Sequence, residues 1–273
     1  MRKRTQAIMP GAEPWSSPGH GELGRIGIVL SHGITGSPIS IRWAAEQLAA
    51  RGFAVELPRL PGHGTSWLDM ARTTYDDWRQ EVLETVDELT QRTDAVILGG
   101  LSMGGTLALD IGWQRERQLA GLVAINATVL PRAGVLAKIA PVLKYVVPVA
   151  PSKAAGLVEN DAARAGVDER AYSMLPAGAA NSFLAVLPRV RRQLRQLRLP
   201  VLVAYAPQDH SVPAANSRAI LDTLGGFGEE LVLERSYHLA TMDLDRELLV
   251  DRIAAFAERV AKERWAAAEA AAP

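Results

Sequence analysis

The 273-residue chain contains no cysteine, which excludes disulfides, thiolate metal sites and a cysteine nucleophile. It also lacks a net charge, since 30 basic and 30 acidic residues cancel. Neither Arg2-Lys3-Arg4 nor the internal cluster Arg189, Arg191, Arg192 and Arg195 amounts to the extended basic face that nucleic-acid binding requires. The expected partner is therefore a small, neutral or apolar molecule. No apolar run approaches the roughly 20 residues needed to span a bilayer. The N-terminal basic triplet leads into polar Thr5-Gln6 rather than an apolar signal core, so the expected compartment is the cytoplasm. His and carboxylate residues at metal-ligand spacing are missing too, and neither a metal nor an organic cofactor is expected.

What is present is enough apolar residue, 48% of the chain, for a substantial core in one α/β domain with an insertion. Residues 1–25, dense in Pro and Gly, read as an irregular arm. Strand-like and helix-like segments then alternate: strands over 26–31, 53–57, 95–99 and 119–125, helices over 39–51, 75–91 and 103–115. This is the βαβ pattern of a mostly parallel sheet flanked by helices. Alternation breaks over 131–180, where Val135, Leu136, Ile139, Val142, Leu143, Val146 and Val147 share one helical face and Pro141 would kink it. That segment reads as a helical cap inserted into a body formed by residues 26–130 and 181–265. A basic helix ending near 197, a strand over 200–205, a helix over 213–224, a strand over 230–234 and a helix from 246 to about 268 complete the pattern, with 266–273 as an alanine-rich tail.

Gly100-Leu101-Ser102-Met103-Gly104 lies between an apolar strand and a helix-forming stretch. A G-x-S-x-G in that position predicts a sharp strand-to-helix turn that lifts a serine oxygen above the sheet and sets the Met103 N–H at a helix N-terminus. Ser102 is thus a candidate nucleophile. A serine hydroxyl at pH 7 needs a histidine base within hydrogen-bond reach and a carboxylate to orient that base. In a sheet of this kind both are sought just after strand ends. His238, after the last strand, is the candidate base, and Asp209, after the preceding strand, the candidate acid. The other histidines have simpler readings. His20 lies in the arm, and His32 opens a Gly-rich turn in a structural role. His63 either lines the site or hydrogen-bonds a loop, and His210 follows the candidate acid and points onto a loop or away. Asp243 and Asp245 follow His238 closely and read as helix N-terminal charges, and Asp69 and Asp110 are less suitably placed. The order Ser102, Asp209, His238 is that of α/β-hydrolases, unlike the orders in chymotrypsin-like and subtilisin-like proteases.

Five segments resemble the bacterial carboxylesterases and monoacylglycerol lipases of the α/β-hydrolase superfamily: Ser31-His32-Gly33-Ile34-Thr35-Gly36-Ser37-Pro38, Leu57-Pro58-Arg59-Leu60-Pro61-Gly62-His63-Gly64, Gly99 to Gly105, Gln208 to Pro213, and Ser236 to Asp243. The resemblance implies a Ser102, Asp209, His238 triad and an oxyanion hole from the backbone N–H groups of Ile34 and Met103, which also border the substrate. The family often carries an aromatic residue where Ile34 stands. The expected activity is hydrolysis of carboxylic esters of medium or long acyl chains and a small alcohol, such as monoacylglycerols. An acyl thioesterase, with the arginine cluster as a phosphate site, is one alternative. A ligand-binding or scaffold protein on the same fold is another. The apolar cap residues would either wall an acyl tunnel or pack the cap onto the body.

Overall fold

The computed structural model describes residues 6–130 and 148–270. Its strands are β1 Trp15–Ser17, β2 Ile26–Ser31, β3 Ala54–Leu57, β4 Ala95–Leu101, β5 Gly121–Ile125, β6 Val149–Pro151, β7 Met174–Pro176, β8 Val201–Tyr205 and β9 Gly228–Val232. Its helices are α1 Ile39–Ala50, α2 Trp67–Met70, α3 Tyr75–Thr90, α4 Met103–Gln114, α5 Ala177–Leu194, α6 Ala215–Leu224 and α7 Arg246–Ala270. One sheet of seven strands runs in the order β1-β3-β2-β4-β5-β8-β9, parallel throughout except for the antiparallel edge pair β1 and β3.

Strands β2, β4, β5 and β8 are buried along their whole length. A central parallel strand is covered on both faces, which is why these segments read as continuous apolar runs rather than as alternation. The period of two survives in the direction of the side chains: Val29 packs into the layer with α3, α4, α5 and α6, while Ile28 and Leu30 pack into the layer with α1 and α7. Strands β2 and β4 pair in register from Ile26 opposite Ala95 to Ser31 opposite Gly100. The loop after β2 and the turn after β4 therefore emerge side by side at the carboxyl edge of the sheet.

The body matches the expected fold, with element ends shifted by a few residues. Two expectations, the arm and the tail, are corrected. The arm is not irregular throughout: Trp15–Ser17 adds the edge strand β1 and Glu22–Arg25 forms a short 3-10 helix. An edge strand needs hydrogen bonds on one side only, so a Pro- and Gly-rich segment can supply it where a central strand could not. Of the expected cap, residues 148–180 carry the short antiparallel pair β6 and β7, the 3-10 helix Ser152–Ala155 and the first turn of α5. The apolar face at Val135 to Val147 lies outside the described residues. The alanine-rich tail continues α7 to Ala270, in keeping with the high helix propensity of alanine. Helix α2 has no counterpart in the sequence reading. At four residues it is too short for a periodic signal, although Ser66 caps it by accepting a hydrogen bond from the Leu68 N–H at 3.1 Å.

Candidate active site

Ser102 follows β4 and caps α4 with φ 57° and ψ −118°, a region that non-glycine residues rarely occupy and that costs roughly 1 to 3 kcal/mol. The surrounding glycines make that turn possible. A Cβ on Gly104 would stand 2.1 Å from the Ser31 carbonyl oxygen, and one on Gly100 would stand 2.4 Å from the Gly104 carbonyl carbon. The Ser102 N–H donates to the Ile125 carbonyl at 2.8 Å, pinning the turn to β5. Met103 is the first residue of α4, so its N–H is among those that helix geometry leaves without an intrahelical acceptor.

His238 and Asp209 meet across the ends of β9 and β8. His238 Nδ1 lies 2.7 Å from Asp209 Oδ2, and Asp209 Oδ1 accepts the N–H groups of Ser211 and Val212 at 2.7 Å each. Burial works against the protonated imidazole, but the carboxylates around it, Asp209 first and then Glu169 and Asp161, together hold the His238 pKa above the ordinary histidine value. With the Asp209 carboxylate accepting at Nδ1, that nitrogen carries the proton and Nε2 is left with its lone pair free to take one. Ser102 and His238 border one cavity of about 30 Å³, together with Ile34, Leu157, Val158 and Glu169.

The turn that follows β2 is held by its carbonyls. The Gly33 oxygen accepts from His32 Nδ1 at 3.0 Å, the Ile34 oxygen from His63 Nε2 at 2.6 Å, and the Thr35 oxygen from the Tyr172 N–H at 3.0 Å. His32 also accepts the Leu60 N–H at Nε2. Burial, and after it the neighbouring His63, keeps the His32 pKa well below the ordinary value. Burial pushes His63 down to about 4, so its ring is neutral and carries one proton. The shorter contact assigns that proton to Nε2. Pro61, whose oxygen lies 3.1 Å from Nδ1, is served instead by Trp78 Nε1–H at 3.0 Å. His32 is structural, as expected, and His63 resolves to the loop-bonding alternative.

His210 is exposed and bonds the cap: its Nδ1 lies 2.7 Å from Asp161 Oδ1, and its N–H donates to Asp161 Oδ2 at 3.1 Å. His20 is exposed in the arm. Asp243 is not a helix N-terminal charge. It is fully buried and accepts four backbone N–H groups, those of Ala163, Arg164, Tyr237 and Leu244, each within 2.8 Å. Asp245 does precede α7, yet its carboxylate turns to Arg235 and the Ser236 hydroxyl. Asp69 pairs with Arg72 at 3.1 Å. Asp110 is buried under Tyr75, Arg79 and Arg189. Arg189 is thereby engaged, and the arginine cluster is left with Arg191, Arg192 and Arg195 exposed.

Glu169 was not legible in the sequence. It sits in the cap with 8% of its surface exposed and borders the same cavity as Ser102 and His238. Burial raises its pKa to about 7, against the opposing pull of His238. One acidic residue among several in a loop-rich insertion carries no periodic or motif signal.

Residues 25–245 match the model of the serine aminopeptidase S33 family. The chain belongs to that family of α/β-hydrolases, and it is a serine hydrolase of the lipase and esterase type. It is 34% identical to a thermostable monoacylglycerol lipase of Bacillus sp. strain H-257 over 248 residues, 90% of this chain and 94% of that protein. It is 22% identical to a carboxylesterase of Bacillus subtilis strain 168 over 85% of this chain and 92% of that one. Among solved structures, one from the metagenome-derived lipolytic enzymes LipS and LipT superposes with a TM-score of 0.85 at 35% identity, covering 93% of this chain and all (100%) of the other. A monoacylglycerol lipase of Paleococcus ferrophilus shares the fold, with a TM-score of 0.72 at 17% identity over 92% of this chain and 99% of that one.

Proposed function

We propose that this chain hydrolyses monoacylglycerols, or similar esters of a small alcohol and a medium or long acyl chain, through an acyl-enzyme on Ser102. The observation that carries the reading is the 2.7 Å contact between His238 and Asp209 on the same cavity edge as a serine held at φ 57°. In this mechanism His238 Nε2 takes the Ser102 proton as the oxygen attacks the ester carbonyl. The backbone N–H groups of Ile34 and Met103 hold the resulting oxyanion, each worth about 3 to 4 kcal/mol in the transition state. His238 then protonates the departing alcohol, and a water activated by the same ring releases the fatty acid. Asp209 stabilises the imidazolium in both half-reactions without taking its proton.

Glu169 supports the choice of a hydroxylated alcohol. A carboxyl titrating near 7 can accept from one hydroxyl as the anion or donate as the neutral acid. Its place beside His238 suits the free hydroxyls of glycerol more than an alkyl ester. For a coenzyme A thioester the arginine cluster offers Arg191, Arg192 and Arg195, since Arg189 is committed to Asp110 at 2.7 Å.

Hydrolysis of p-nitrophenyl esters graded by acyl length, run beside a monoacylglycerol, an acyl-coenzyme A and an aminoacyl p-nitroanilide, tests the reading. The monoacylglycerol is expected to be preferred, and Ser102→Ala to lower turnover by on the order of 10⁶-fold. Retention of a tenth of the activity by that variant would remove Ser102 from the mechanism. Preference for the thioester or the anilide would replace the substrate class.

A further inference from the structure

Asn126, the first residue past β5, has a left-handed backbone with φ 44° and is 2% exposed. Its side chain spans two loops. Oδ1 accepts the Ala206 N–H at 2.9 Å, while Nδ2 donates to the His238 carbonyl at 2.9 Å and to the Tyr237 carbonyl at 3.3 Å. Ala206 begins the turn that presents Asp209, since its carbonyl accepts the Asp209 N–H at 3.3 Å. The preceding residue, Ile125, accepts the Ser102 N–H at 2.8 Å, and the Asn126 N–H itself donates to Ala204 at 2.9 Å. The dipeptide Ile125-Asn126 thus touches the backbone beside all three members of the proposed triad.

The sheet order explains why this position can do so. Strand β5 lies between β4, which leads to Ser102, and β8, which leads to Asp209, with β9 and His238 one strand further. Few side chains fit these demands. One acceptor and two donors must lie in one plane on a short stem, from a left-handed backbone, which asparagine tolerates better than most residues. Aspartate would turn a carboxylate oxygen toward two carbonyls, and glutamine would be too long.

We infer that Asn126 is a positioning residue of the hydrolytic reaction, holding His238 and the Asp209 turn in register with Ser102. The inference rests on the triad reading above. Two variants test it: Asn126→Gly, which keeps the left-handed backbone and deletes the amide, and Asn126→Asp, which keeps the shape and the acceptor and removes the donor. Steady-state kinetics on a p-nitrophenyl ester, thermal melting and the low-field proton NMR signal of His238 Nδ1–H are measured for both, with Ser102→Ala alongside. In both variants kcat is expected to fall about 30- to 100-fold with KM within about three-fold, the size of loss that small misplacements of reacting groups produce. The low-field signal is expected to shift or broaden. A purely structural asparagine would lower the melting temperature and leave kcat and the proton signal in place, and that result in either folded variant overturns the inference. Activity surviving in Ser102→Ala would overturn the triad reading instead. The proton signal, which needs no turnover, would still report whether Asn126 sets the His238 and Asp209 pair.

Discussion

Two buried carboxyl groups near the site have different partners. Asp243 is surrounded by four N–H donors. Burial first, with Asp161 and Glu159 nearby, raises the Glu169 pKa to about 7 against the lowering pull of His238 and of a hydrogen bond from the Asn160 backbone. The consequence for stability follows from linkage. The unfolded chain ionises Glu169 near the ordinary value while the folded protein keeps it neutral, so between about pH 4.5 and 7 the folded state binds the extra proton and stability falls as pH rises. Glu169→Gln removes that dependence. It is expected to stabilise the protein at pH 8 by about 2 to 3 kcal/mol and by much less at pH 4.5, read by denaturant unfolding at both values. Equal effects at both pH values would show that Glu169 is not held neutral. None of this is visible in the sequence, where Glu169 is one acid among many, because a pKa is set by neighbours brought together from distant positions.

At the scale of the element, the turn after β2 shows how much of a site is backbone. Its residues were legible as a Gly-rich loop following a strand, and His32 as structural. The partner was not, because His63 lies 29 residues away and reaches Ile34 only after β3 pairs beside β2. His63→Leu is expected to lower kcat about ten- to hundred-fold with little change in KM, since the loop carrying the proposed Ile34 donor would lose one of its carbonyl anchors. His63→Gln, whose amide nitrogen can occupy the Nε2 position, should recover a substantial part. If both variants fall alike while folding normally, the Ile34 bond is not what matters. The strand-to-helix turn at Ser102 was fully legible, since glycines four residues apart flanking a serine are demanded by contacts as close as the 2.1 Å that a Gly104 Cβ would make.

At the scale of the whole molecule, polar ties join the described part of the cap to the body beside the apolar contacts of Leu157, Tyr172 and Leu175 with its core. The Leu239 N–H donates to the Asp161 carbonyl, the Val158 N–H to the Ser211 hydroxyl, and those of Ala163 and Arg164 to Asp243. Each tie ends beside Asp209 or His238, so cap placement and site geometry are mechanically linked. Asp243→Asn turns an amide donor toward N–H groups that need an acceptor. It is expected to lower stability by about 2 to 4 kcal/mol and the melting temperature by about 5 to 10 °C. Activity well below the melting point should stay within about ten-fold of the parent, whereas Asp209→Asn should lose about 10⁴-fold. A reversal of that order, measured on one ester substrate, would make Asp243 the orienting acid.

The sequence alone determined what depends on near neighbours: the alternation of strands and helices, the parallel core whose strands are apolar on both faces, the tight turn at Ser102, and the order of the candidate nucleophile, acid and base. Those features are written in local spacing, and local sterics and burial enforce them wherever the chain folds. Only the tertiary structure brought out the 2.7 Å meeting of His238 with Asp209, the four N–H groups on Asp243, the strand pair β6 and β7, and the surroundings of Glu169, His63 and Asn126. Each depends on which strand ends lie side by side, and sheet order brings together residues whose separation along the chain holds no periodic trace of their contact.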